Sequence, residues 1–284
     1  FDGVHRGHQA VIGHTVDVAN RDGLAPVAIT FDRHPREVLT PGNVPPLLTT
    51  LERKAALIEE LGVATLVVLE FTEDFSRWSS EEFVAKVLVE RLKIAHAVVG
   101  SNFTFGHKAK GNLAVLGELG ASYGFTAEGV PLFAIDDRPV SSSSIRTALL
   151  EGDLVWPTTA LGRRFVVDGR VVRGAGRGAG LGFPTANLEV GREMLLPAEG
   201  VYAGKALIDG RGHVAAINVG TNPTFGTEPL HAEAFLLDFE GDLLNQPITL
   251  EFWARLRDEV RFGSGEELAR QIRDDVDRTR SLVA

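Results

Sequence analysis

Three groups of residues in this chain have chemistry to offer: a close pair of histidines, a cluster of hydroxyls before a helix, and an acid set in an apolar strand. FDGVHRGH (1–8) places His5 and His8 on one side of a first helical turn, where residues three apart are neighbours. Gly7 keeps that turn free of side chain, so a phosphate can approach the backbone, and a helix N-terminus adds unpaired N–H groups and partial positive charge. Imidazoles that donate hydrogen bonds steady a polyphosphate whose charge rises during transfer. The same spacing also suits two satisfied surface histidines. Zinc fits less well, because no HExxH or cysteine pattern supplies a further ligand. In VSSSSIRTALLEGD (140–153), serines precede an apolar helical stretch. Ser142 and Ser143, with Arg146 a turn later, read either as a phosphate clamp or as helix capping.

The second half carries a different set. RGAGRGAGLGFPTANLE (173–189) has glycines at 174, 176, 178, 180 and 182, a composition that lets backbone N–H groups fold around phosphates. No Gly-Lys-Ser/Thr follows, so it is not a Walker A loop, and it is no dinucleotide fingerprint either. Pro184 stiffens the next stretch, and Thr185 and Asn187, two apart in an extended segment, face the same way. A hydroxyl and a carboxamide are hard ligands suited to Mg²⁺ on a nucleotide; alone, the triplet also reads as a turn. In LHAEAFLLDF (230–239), Glu233 shares a strand face with Phe235, Leu237 and Phe239. A carboxylate there is costly unless partnered or used. It suits a general base taking a proton from a hydroxyl, with a structural salt bridge to an arginine as the alternative.

The elements that must position these groups follow two rhythms. Up to about residue 153, short Val/Ile/Leu runs (25–31, 64–71, 95–103, 125–133) alternate with helical patterns (49–63, 80–92, 111–124). That alternation predicts a parallel sheet covered on both faces, with ligands beyond the carboxyl ends of its strands. After the Pro-containing stretch 154–163, read as a linker, short strands separated by Gly, Pro and Asn turns predict a small antiparallel barrel over 164–284. A terminal helix closes it, with Leu268, Ile272 and Val276 on one face as its packing stripe.

Composition bounds the partners. The chain has 284 residues, no cysteine and a net charge of −9. A disulfide scaffold and a thiolate metal site are excluded, and a cytoplasmic location is the expectation. The acidic balance argues against broad nucleic-acid binding but not against small anionic substrates. No apolar run approaches the ~20 residues of a membrane span.

Two segments, FDGVHRGH and VSSSSIR, stand in this order at the two ends of a parallel α/β domain. They resemble the HxGH nucleotidyltransferase superfamily. TFDRHP (30–35) and NFTFGHKAKGN (102–112) narrow the resemblance to the FMN adenylyltransferase (FAD synthetase) module of the bacterial bifunctional riboflavin kinase/FMN adenylyltransferase family. GFPTAN, GVYAG (200–204), NVGTNPTFG (218–226) and the Glu233 strand are similar to that family's riboflavin kinase module.

The resemblance implies a Rossmann-like first domain over 1–153 and a kinase barrel over 164–284. It implies ATP, riboflavin, FMN and FAD as substrates or products, and Mg²⁺ as the metal. His5, His8 and Gly7 would bind ATP phosphates, as would Ser142, Ser143 and Arg146, while Asn102 would position a phosphate. Phe31, His34, Phe103 and Phe105 fall to the flavin, although each phenylalanine equally suits a core. Gly174, Gly176, Gly178 and Gly180 would cover the kinase phosphates, Thr185 and Asn187 would hold Mg²⁺ and nucleotide, and Glu233 would be the base. Arg33 replaces the family's proline in TFDPHP, Ser143 its threonine, and Leu244 and Asn245 its Tyr-Gly. The family's first strand has no counterpart before Phe1, so the chain is read as an N-terminally incomplete copy. Two other readings stay open: an HxGH adenylyltransferase with another acceptor, which gives the GFPTAN barrel no purpose, and a flavin-binding or regulatory protein without turnover.

Overall fold

The computed structural model describes residues 1–174, 182–221, 230–260 and 262–283. They form two units: Phe1–Pro45 with Leu51–Ser141, and Pro46–Thr50 with Ser142–Ala284.

In the first unit, helices α1 (Arg6–Asp22), α2 (Arg36–Leu39), α3 (Leu51–Glu59), α4 (Glu73–Ser76), α5 (Ser80–Phe83) and α6 (Leu113–Tyr123) alternate with strands. These are β1 (Val27–Phe31), β2 (Thr65–Leu69), β3 (His96–Gly100), β4 (Thr126–Val130) and a small antiparallel pair, β5 (Ala134–Ile135) and β6 (Arg138–Pro139). The local signals are ordinary. Asn112 caps α6 by accepting from the Val115 N–H at 3.0 Å, and Gly124 ends it at φ 85°. The helical run expected over 80–92 splits, with α5 passing into a π-helix at Val84–Arg91. Its wider turn sets Val84, Val87 and Leu88 together against the core around Phe105 and Leu116.

Pairing is parallel, as the strand–helix alternation predicts, but it runs as two separate pairs, β1–β2 and β3–β4. The apolar core follows the same division. One cluster gathers Val4, Ile12, Ala28, Ile58 and Val63, and the other gathers around Phe105, Leu116 and Phe125. Both β1 and β3 line a cavity of about 530 Å³.

In the second unit, α7 (Ser142–Leu150) and α8 (Val155–Leu161) pack together ahead of the barrel, so the stretch expected as a linker contains a helix. Strands β7 (Phe165–Val172), β8 (Ala186–Glu189), β9 (Gly200–Ile208), β10 (Arg211–Gly220), β11 (His231–Leu236) and β12 (Pro247–Arg257) close a barrel in the order β10-β11-β8-β7-β12-β9. Every pairing in it is antiparallel. Tyr202, Ile217, Leu250 and Phe252 fill its interior, with Ala232 and Ala234 as small counterparts.

The closing helix α9 (Gly265–Val283) lies against β9, β10 and β12. Its most buried residues are Asp275, Thr279 and Val283, whereas Leu268, Ile272 and Val276 are only half-buried. At 100° per residue the two sets interleave on one face, so the apolar stripe marks the packing face, and its deepest positions are Asp275, Thr279 and Val283. Asp275 is able to go inside because Arg257, at the end of β12, grips its carboxylate with contacts of 2.8 to 3.2 Å.

Candidate active sites

The His5 turn is built by an unusual backbone. Gly3 and Val4 both take positive φ, 82° and 39°. A β-branched residue rarely adopts that conformation, and Val4 is held in it while almost wholly buried. His5 then caps α1: its Nδ1 accepts from the His8 N–H at 3.3 Å. The two imidazoles stack at 3.7 Å and 17°. A Cβ at position 7 would fall 3.1 Å from the His5 ring, so glycine there permits the stack as well as open backbone.

Desolvation holds the His8 imidazole well below its usual range, helped by positive charge on His5 and Lys54. A neutral ring at neutral pH offers one N–H and one acceptor. Its Nδ1 has no hydrogen-bond partner among the described residues.

His5, Gly7, His8, Phe31, Asn102 and Phe103 all border the space between β1 and β3. Phe31 packs edge-on against Phe71 at 4.9 Å. Two others lie elsewhere. His34 sits at the start of α2, where its Nδ1 accepts from the Arg36 N–H at 3.1 Å. Phe105 is buried in the core and stacks on Phe103 at 5.5 Å. Ser142, Ser143 and Arg146 belong to the second unit, on α7. Arg146 is buried there and donates Nε to the Pro46 carbonyl at 2.6 Å.

The second site assembles on the barrel. Glu233 on β11 pairs directly with Asn187 on β8 and with Asn218 on β10. Residues opposite each other in antiparallel strands share a face, so Asn187, Glu233 and Asn218 form one polar row. The Thr185 hydroxyl donates to Glu233 Oε2 at 3.1 Å. Gly174 lies against the same group: a Cβ there would sit 2.1 Å from the Asn187 amide nitrogen. The end of the glycine stretch thus meets Asn187 because it lacks a side chain. Gly176, Gly178 and Gly180, and positions 222–226 of NVGTNPTFG, lie outside the described residues.

The face that holds Glu233 differs from the sequence expectation. Along β11 the buried positions are Ala232, Ala234 and Leu236, while His231, Glu233 and Phe235 are partly exposed. Glu233 therefore occupies the accessible face, and among the described residues its partners are Thr185 and His231 rather than an arginine. His231 and Asn218 are site residues that motif reading passed over. His231 stands two before Glu233, a period-2 signal available in the sequence. Asn218 needed the β10–β11 register, which no local pattern shows.

Oxygen donors dominate this cluster, as a hard cation requires. No group of three or more His, Cys, Asp or Glu placed to hold a metal occurs among the described residues. A Mg²⁺ arriving with a nucleotide would rest chiefly on neutral oxygens and phosphate. A hydroxyl that gives its proton to Glu233, as Thr185 does, turns its lone pairs outward for such an ion.

Comparison with known proteins matches both halves of the chain. The FAD synthetase family matches residues 1–144 and the riboflavin kinase family residues 161–283. A bifunctional riboflavin kinase/FMN adenylyltransferase of Pseudomonas fluorescens is 38% identical, across 100% of this chain and 91% of its own. The Bacillus subtilis (strain 168) protein of the same name is 37% identical over 97% of this chain and 88% of its own. A crystal structure from Streptococcus pneumoniae, described as a macrolide-efflux protein, shares the fold at TM-score 0.90 and 29% identity. It covers 99% of this chain and 91% of that one, and the activity in its description stays with that protein. With both modules matched in order and full-length relatives above the level where families blur, the chain belongs to the bifunctional riboflavin kinase/FMN adenylyltransferase family.

Proposed function

We propose that this chain makes FMN and then FAD with the residues described above, the barrel carrying the kinase step and the α/β unit the adenylyl transfer. The Thr185–Glu233–Asn187 cluster is the observation that carries this reading. It sets a carboxylate beside the oxygen donors that suit nucleotide-bound Mg²⁺.

In the kinase step Glu233 accepts the proton of the ribityl 5′-hydroxyl. That oxygen then bonds to the γ-phosphorus of ATP, the bond to the β-phosphate oxygen breaks, and ADP leaves. Thr185 and Asn187 are the residues that would hold Mg²⁺, whose chemistry here is to neutralise phosphate charge. Gly174 keeps the Asn187 carboxamide in place.

In the second step an FMN phosphate oxygen attacks the α-phosphorus of ATP, and pyrophosphate departs. His5 and His8 donate to the phosphates, Gly7 leaves their approach open, and Asn102, Phe31 and Phe103 line the same cavity. Such a transfer needs positioning and charge neutralisation rather than a covalent nucleophile. Ser142, Ser143 and Arg146 are assigned to phosphate by their motif alone, as His34 and Phe105 are to flavin.

A division expected at 1–153 and 164–284 has in its support the gap between the family matches, which end at 144 and resume at 161, while the compact units part at 141/142, so residues 142–153 go with the barrel's unit. Small molecules are the partners. The net charge of −9 speaks against nucleic acid, and the absence of cysteine supports a cytoplasmic setting. Incubation with riboflavin, ATP and Mg²⁺, with the products separated, tests the whole reading. FMN followed by FAD is expected, and riboflavin bound but unchanged would overturn it.

A further inference from the structure

Beyond the motif residues, the barrel site holds an imidazole that no part of the kinase chemistry has yet used. His231 Nε2 stands 3.4 Å from Glu233 Oε1, within ion-pair distance, while Thr185 donates to the other oxygen, Oε2. An imidazole N–H at that nitrogen is a donor turned toward the carboxylate. Glu233 is therefore flanked at both oxygens, by the Thr185 hydroxyl donating to Oε2 from the segment leading into β8 and by the His231 imidazole of its own strand within ion-pair distance of Oε1. Both side chains are about three-quarters shielded, at 24% and 26% exposure, so the contact counts for more than a fully exposed pair.

The neighbouring strand makes room for this arrangement. Gly220 is the cross-strand partner of His231 on β10 and presents no side chain to the imidazole. The carboxylate of Glu259 fills the space a side chain at 220 would take, 2.1 Å from the Cβ position, and also accepts from Asn218 Nδ2 at 3.4 Å. The charged and polar groups around His231 are thus Glu233 on its own strand, Asn187 on β8, and Asn218 with Glu259 on the β10 side.

We propose that His231 is a positioning residue of the kinase reaction, its imidazole orienting the Glu233 carboxylate toward the ribityl hydroxyl. A glutamate held only by Thr185 regains rotamer freedom, and the cost of reordering it appears in the chemical step rather than in substrate binding. The inference rests on the reading of Glu233 as the base.

Steady-state kinetics on the full chain test it. His231→Ala is expected to lower kcat for FMN formation about tenfold with KM for riboflavin within about twofold, the signature of an interaction used in the transition state. His231→Gln, which keeps an amide N–H at that reach, is expected to restore kcat to within about threefold of the parent. Adenylylation of supplied FMN serves as the folding control and should be unchanged in both variants. Equal losses in the Ala and Gln variants, a loss confined to KM, or no loss at all would each overturn the role of His231. Glu233→Ala separates the two levels. If it leaves FMN formation intact, the base assignment fails; if it abolishes FMN formation while His231→Ala does not affect it, only the present inference fails.

Discussion

Gly174 shows how a single missing side chain shapes this enzyme. Sequence suggests glycines around a phosphate, and the structure adds a tighter demand, since the Asn187 carboxamide fills the space a methyl group would need. Gly174→Ala should push Asn187 out of its row and cut FMN formation about tenfold or more, while adenylylation of supplied FMN stays within about twofold. Parallel assays of the two half-reactions decide it, and equal effects on both would refute the placement.

His8 has a consequence of another kind. Its folded-state pKa is depressed, chiefly by desolvation, below the ordinary value near 6.5 of an unfolded chain. As pH falls through that value, the unfolded chain takes up a proton that the folded ring refuses, so stability falls with it. The slope is at most about 1.4 kcal/mol per pH unit, and it vanishes above the unfolded pKa. Hydrogen exchange of the α1 amides between pH 5 and 7.5 should show this loss, and His8→Gln should flatten it.

At the level of elements, a buried ion pair ties α9 to the barrel on the same face as its apolar stripe. Arg257 meets both oxygens of Asp275, and Gln271 donates to Oδ1 at 3.1 Å. Removing one partner leaves the other poorly solvated. Asp275→Ala is expected to cost about 3 kcal/mol, the lower end of the range for buried pairs because Arg257 keeps some exposure. Urea titration followed by Trp253 fluorescence would register an earlier midpoint, and an unchanged midpoint would count against the clamp. The π-helix at Val84–Arg91 makes a related point. Its apolar spacing is compatible with an ordinary helix, and in the wider turn Val84, Val87 and Leu88 pack with Phe105 and Leu116.

Over the whole molecule, the proposed reading puts Glu233 and the histidine pair in different units, and each activity is expected to fail alone. Glu233→Ala is expected to abolish conversion of riboflavin to FMN while leaving adenylylation of supplied FMN within about twofold. His8→Ala should do the reverse, lowering FAD formation about a hundredfold at unchanged kinase rate. Product analysis with riboflavin or FMN as the starting material distinguishes them, and a common loss in either variant would contradict separate sites.

The sequence by itself determined the two rhythms, the parallel pairing of the first half, the barrel of the second, and the motifs that identify the family. Those properties reside in local spacing: period 2 or 3.6, caps, turns, and residues a few positions apart. Tertiary structure alone decided what depends on distant pairing. The β10–β11–β8 register set Asn218, Glu233 and Asn187 in one row and turned Glu233 to the accessible face. Packing sent Asp275 deepest on the face that α9 turns to the barrel, because Arg257 on β12 was placed to receive it. Period 2 told which residues of β11 share a face, but only closure of the barrel told which face is inside.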